Sequence, residues 1–247
     1  MDCIGCGPTT SRPSGEHIFS KWLLREFDPN ASMPLLRQHH DGSQQQVRVE
    51  IKLDSFRLKD VCETCNNGWM SKLEEDAKPI ILDLIRNQRD LSNLNVEERG
   101  ILAAWAGKTA VIESRAVGAE CPIDGDYLQQ IRRRYGRPPD TFAVAACRSG
   151  KGGFAHMQVG VIRDLIGGGK ASGNIILIAI PTLAFACAFP MLPIPFRPMC
   201  VKSLYVPMWP DPSRWRDMNQ TPMPTGLQGL DHVAALAERI ELFQSVV

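Results

Sequence analysis

The cysteines at the front of the chain restrict its fold more than any other feature. Cys3 and Cys6 form one CxxC pair and Cys62 and Cys65 a second, with everything from Gly7 to Val61 between them. A CxxC turn aims two thiolates at one point, and two such turns complete a tetrahedral sulfur site of the structural zinc type. The intervening stretch is too long for a minimal zinc ribbon, so a structured insertion between the knuckles is expected. The competing explanation is a set of buried or redox-active thiols. Cys121, Cys147, Cys187 and Cys200 show no ligand spacing among themselves, and Cys147 and Cys187 fall in apolar runs, where cysteine acts as a small hydrophobe.

The opening MDCIGCG carries neither the basic lead nor the apolar core of a secretory signal. A cytoplasmic, reducing setting is therefore expected, and there metal binding explains cysteines better than a disulfide framework does. Ala171 to Phe196 holds no charged residue and has the length of a membrane span. Pro181, Pro190, Pro193 and Pro195 interrupt it, however, and Asn174 to Phe189 reads as two buried strands broken near Pro181 and Thr182. No membrane association is expected.

With 28 Lys and Arg against 27 Asp and Glu, the surface as a whole does not attract phosphate. Contact with nucleic acid must then be local. The densest basic run is Arg132, Arg133, Arg134 and Arg137 around Tyr135, although such runs are more often solvated helix faces.

Periodicity points to an α+β protein. Ile18 to Phe27 has helical spacing, Val47 to Leu53 alternates as a half-buried strand, and a helix beginning near Asn66 buries Trp69, Leu73, Ala77, Ile80, Ile81, Leu84 and Ile85. Pro79 should kink or stop that helix. Val96 to Ser114 and Tyr127 to Tyr135 read as further helices. Strands follow at Phe142 to Cys147, Met157 to Ile162, Ile175 to Ile180 and Leu183 to Phe189, and Asp231 to Phe243 reads as a closing amphipathic helix. The expected organisation is a zinc-knuckle module over residues 1–90 and an α+β domain over 91–247, a helix-backed antiparallel sheet with no chemical signature of its own.

The order CIGC, GEHIFSKWL, VCETCNNGWMSKLE resembles the HNH (ββα-metal) endonuclease superfamily, in the subgroup with two CxxC knuckles around an acidic residue plus histidine. The resemblance covers about a third of the chain. It implies an N-terminal ββα-metal fold with structural Zn2+ on Cys3, Cys6, Cys62 and Cys65. It also implies catalytic Mg2+ or Mn2+ held by Glu16 and Asn66, with His17 as general base. Phosphodiester hydrolysis needs those parts: a base to take a proton from water, and a cation to offset charge on the phosphate. A histidine titrates close to neutrality, while carboxylate and amide oxygens suit a hard cation. Nucleic acid, DNA above RNA, is the implied partner, and cutting both strands of a duplex with one site per chain would call for a homodimer. Restriction, phage defence or a mobile element is the setting implied.

Lys72, on the helix after the motif, and Arg57, Arg132, Arg133 and Arg134 are the candidate nucleic-acid contacts; solvated side chains are the plainer explanation of each. Asn66-Asn67-Gly68 could equally be turn and N-cap chemistry. His39 and His40 lie in a glutamine-rich stretch with no partner that completes a ligand spacing, and read as solvated. Arg57 stands where many family members carry asparagine, and Ser20 where proline is frequent. On those departures rests the alternative reading, a zinc-stapled nucleic-acid-binding module with weak or no turnover.

Overall fold

The computed structural model describes residues 1–28, 30–37, 49–117, 126–135, 137–139, 142–148, 154–164, 170–190, 199–200, 206–210 and 216–217. The expected helix over 231–243, the polar stretch with His39 and His40, and Cys121 lie outside these residues.

The chain opens with β1 (Asp2–Cys3) and β2 (Gly7–Pro8), an antiparallel pair around the first CxxC. Gly7 turns this knuckle at a φ of 79°, a backbone conformation that favours glycine. β3 (Pro13–His17) follows, then the short helix α1 (Lys21–Glu26), β4 (Ser32–Arg37) and β5 (Val49–Lys52). β6 (Arg57–Cys62) returns to pair antiparallel with β3, setting Pro13 opposite Cys62 and His17 opposite Arg57. Ile18 and Phe19 are fully buried but precede α1, and Ile18 instead donates its amide to the Phe56 carbonyl at 3.2 Å. The helix expected from Ile18 therefore begins three residues late, because its first apolar residues serve the hairpin.

Cys62 passes directly into helix: α2 (Glu63–Cys65), one wide turn over Asn66–Met70, and α3 (Ser71–Ile85). The start expected near Asn66 thus moves forward to Glu63. The expected kink also moves, from Pro79 to Gly68, which has non-helical angles of φ −97° and ψ −110°; α3 runs through Pro79. A proline interrupts only its own ladder bond, and the buried Ala77, Ile80, Ile81 and Leu84 around it hold the helix together.

α4 (Val96–Ala116) starts at a capping box in which Asn95 Oδ1 accepts from the Glu98 amide at 3.0 Å and Glu98 accepts from the Asn95 amide at 2.9 Å. From Leu102 to Ser114 every residue is buried, because one side of α4 packs on α3 while β6 and the strands that follow it in the chain pack around the rest. α5 (Asp126–Arg133) comes next, then β7 (Ala143–Arg148), β8 (Ala155–Asp164), β9 (Lys170–Ile180), β10 (Leu183–Pro190), β11 (Met199–Cys200), β12 (Val206–Trp209) and β13 (Arg216–Asp217). No helix among the described residues is long and apolar enough to cross a membrane.

The antiparallel strands β8, β9, β10 and β7 form the expected C-terminal sheet, with β12 added beside β7. On the opposite edge, β4 pairs parallel with β8 and carries β5 beyond it. The insertion between the cysteine pairs thus completes a sheet built mainly from the far half of the chain. One hydrophobic core likewise runs from Cys3 to Met208, across the boundary expected near residue 90.

Helix and sheet meet closely at Gly107. A Cβ there would lie 2.5 Å from Phe142 Cζ and 3.3 Å from Ile131 Cδ1. Gly107→Ala gains up to about 1 kcal/mol in helix propensity and loses about 1–3 kcal/mol to overpacking. We predict a net loss, read as a lower urea midpoint with an unchanged slope.

Candidate functional site

The β1–β2 knuckle and the β6–α2 junction bring the four sulfurs together, all within 4.8 Å of one another. Cys6 Sγ and Cys62 Sγ are 3.8 Å apart, about the separation of two sulfurs on a tetrahedron with Zn–S bonds of ~2.3 Å. Cys3 Sγ accepts from the amides of Gly5 at 3.4 Å and Cys62 at 3.3 Å, which fix its place in the cluster. Gly5 must be small here, since a Cβ would meet Cys65 Sγ at 3.2 Å and Met70 Cε at 3.3 Å.

Cys6, Cys62 and Cys65 do not titrate alike. Burial pushes the Cys6 and Cys65 thiols up. Burial also acts upward on Cys62, but the Cys65 amide and the neighbouring sulfurs outweigh it and bring this thiol down to about 7. The cluster can hold a metal such as zinc, which would replace these competing thiol contacts with bonds to one cation. Among the described residues it is the only group of three or more His, Cys, Asp or Glu side chains close enough to share a metal.

The three motif residues have different partners. Glu16 is buried, and its Oε1 accepts from Lys108 Nζ at 3.0 Å. His17, next along the strand, is half-buried; burial and the nearby charges of Arg57 and Lys21 hold its imidazole below the usual histidine range. Asn66 donates from Nδ2 to Ser14 Oγ at 2.5 Å, which ties the start of the helix to β3.

Lys108 is the centre that sequence reasoning missed. Its side chain is 1% exposed, and Nζ also reaches Glu74 Oε1 at 2.6 Å. Glu74 accepts in addition from Trp105 Nε1 on Oε1 at 3.0 Å and from Trp22 Nε1 on Oε2 at 3.1 Å. Burial raises the Glu74 carboxyl, but the Lys108 ammonium outweighs that and keeps it below its ordinary 4.5. The two carboxylates hold the Lys108 ammonium above its usual range despite burial. One signal was present in the sequence: a single lysine within LAAWAGKTAVI, a run otherwise apolar or small, requires a buried partner.

The remaining candidates sit at the surface. Arg57 faces His17 across the hairpin and reaches the Asp54 carbonyl at 3.4 Å. Lys72 pairs with Asp76 at 3.2 Å. Arg132 and Arg133 end α5, with Arg134 just beyond, and all three are exposed.

Comparison with protein-family models, curated proteins and solved structures returned no match to this chain.

Purified protein should carry one zinc per chain by elemental analysis, and Cys62→Ser should abolish stoichiometric zinc and lower the melting temperature. Lys108→Met, which leaves two buried carboxylates facing each other, should cost about 3–5 kcal/mol in urea unfolding. Because the Glu74 pKa is depressed, its contribution is present above 4.5 and is lost as pH falls through the lower folded value. Glu74→Gln should therefore flatten stability against pH below 4.5, and a slope equal to wild type would contradict the assignment. Lys108, whose pKa is raised above 10.5, contributes at every pH below that value.

Proposed function

We propose that the chain is an HNH-type nuclease that hydrolyses phosphodiester bonds in nucleic acid, DNA above RNA, with His17 as the general base. The observation that carries the reading is the order of parts: knuckle, β3 ending in His17, β6, second knuckle, then a helix whose first turn bears Asn66 tied to Ser14. A half-buried imidazole with a depressed pKa is neutral near pH 7, the state that can take a proton from water. The side-chain carbonyl of Asn66 is a hard oxygen beside the same strand.

A Mg2+ or Mn2+ ion would neutralise charge on the phosphate and the leaving oxygen. The residues present fit it only in part. Asn66 offers an oxygen, but the acidic ligand of the motif, Glu16, is committed to Lys108 in the interior. Glu16 would have to exchange the ammonium for the cation before it could serve as a ligand. This same contact favours the second reading, a zinc-stapled nucleic-acid-binding module without turnover.

Cleavage of plasmid DNA, single-stranded DNA and structured RNA with added Mg2+ or Mn2+ separates the two. The nuclease reading expects cutting by wild type and a loss of at least about 100-fold in His17→Ala at equal zinc content and melting temperature. Cutting retained by His17→Ala removes His17 from the chemistry, and no cutting of any substrate by wild type leaves the binding module.

A further inference from the structure

Beyond the end of α5 the Arg137 amide donates to the Arg134 carbonyl at 2.6 Å, beside a shallow, open cleft of about 460 Å3. Arg133, Arg134, Tyr135, Arg137, Pro138 and Trp209 line it. The three arginines are exposed, and none forms an ion pair with a carboxylate among the described residues. Three unneutralised guanidinium groups within five positions repel one another unless an anion joins them.

The aromatic side chains are held in place. Trp209 Nε1 donates to the Pro139 carbonyl at 3.2 Å, which fixes the indole against the arginine-bearing turn. Tyr135 donates its hydroxyl to Asp76 on α3, and Lys72 Nζ lies 5.9 Å from the centre of the tyrosine ring. The cleft is thereby joined to α3, the helix that follows the second knuckle.

We infer that this cleft binds single-stranded nucleic acid, the arginines taking the phosphates and Tyr135 and Trp209 stacking with bases. Arginine beside an aromatic face is the combination that grips a strand without reading its sequence, whereas a duplex hides the base faces. Phosphate alone would need the arginines but not the aromatic walls. The inference rests on the reading of the chain as acting on nucleic acid and specifies the form that nucleic acid takes.

The test uses zinc-loaded, full-length His17→Ala protein and a fluorescein-labelled oligothymidine, followed by anisotropy at several salt concentrations. Binding should be tighter than to a duplex of equal length. Arg134→Gln with Arg137→Gln should weaken it about tenfold or more and reduce the salt dependence by roughly two phosphate contacts. Both arginines are exposed, so these changes should leave the melting temperature unchanged. Trp209→Phe should remove a quench of tryptophan fluorescence that accompanies binding.

Unchanged affinity in the arginine variants, equal affinity for duplex, or no binding by the parent protein would each overturn the inference. Binding that fails in the arginine variants while wild type cuts nothing supports the cleft and removes only the nuclease reading. Cutting by wild type with binding indifferent to these arginines removes only the cleft.

Discussion

Lys108 puts a positive charge where water does not reach, and the architecture around it follows from that charge. An unpaired ammonium in such a place would lose its proton or unfold the site. Glu16 from the first hairpin and Glu74 from α3 prevent both, and the two indoles from Trp22 and Trp105 complete the hydrogen bonding of Glu74. Three segments distant in sequence are thereby fixed against α4, the helix on which the sheet also packs. Buried ion pairs add little net stability against an apolar replacement, but breaking one strands the other charges. The triad therefore works as a register pin: a shift of α4 against the hairpin would leave three charges without partners.

The four cysteines impose the complementary constraint. They bring residue 3 to residue 62 and close the insertion into a loop whose ends nearly touch. With those ends fixed, β4 and β5 can leave the knuckle module and extend the sheet that the far half of the chain builds. A cation bound at the cysteines would thus act on more than the knuckles, because the edge of the large sheet is tethered to both of them. The boundary expected near residue 90 was drawn where the region holding both cysteine pairs ends, and a pairing such as β4 with β8 leaves no local trace in the sequence.

Much of the architecture was legible locally. The two CxxC pairs announced their cluster, and the apolar spacing located α3, α4, α5 and the strands β7 to β10 to within a few residues. What escaped were decisions made by partners. Pro79 is an interruption by any local rule, yet α3 absorbs it because the flanking apolar residues are buried against α4. Gly68 carries the kink instead, where the chain leaves the second knuckle. Ile18 and Phe19 have helical spacing with Trp22 and Leu23, but the hairpin takes them first. Lys108 was visible as an oddity, and only the fold could supply Glu16 and Glu74 as the reason. Trp209 could not have been joined to the arginine run, since they lie far apart in the chain and meet only in the fold, where the indole reaches the Pro139 carbonyl.

Glu16 and His17 state the tension within the candidate site. Successive residues of a strand face opposite sides, and here one carboxylate enters a dry interior while its neighbouring imidazole stays half in water beside Arg57. The resemblance to HNH nucleases asks both to serve one phosphate. The hairpin as folded commits Glu16 to cohesion and leaves His17 half-buried, open to the role proposed for it. A cation could recruit Glu16 only by matching what Lys108 supplies, a full charge at 3.0 Å in a medium of low polarity. Release would also leave the ammonium with Glu74 alone, turning a net negative triad into a neutral pair. Binding of a cation by Glu16 would therefore be linked to the packing of α4 against the hairpin.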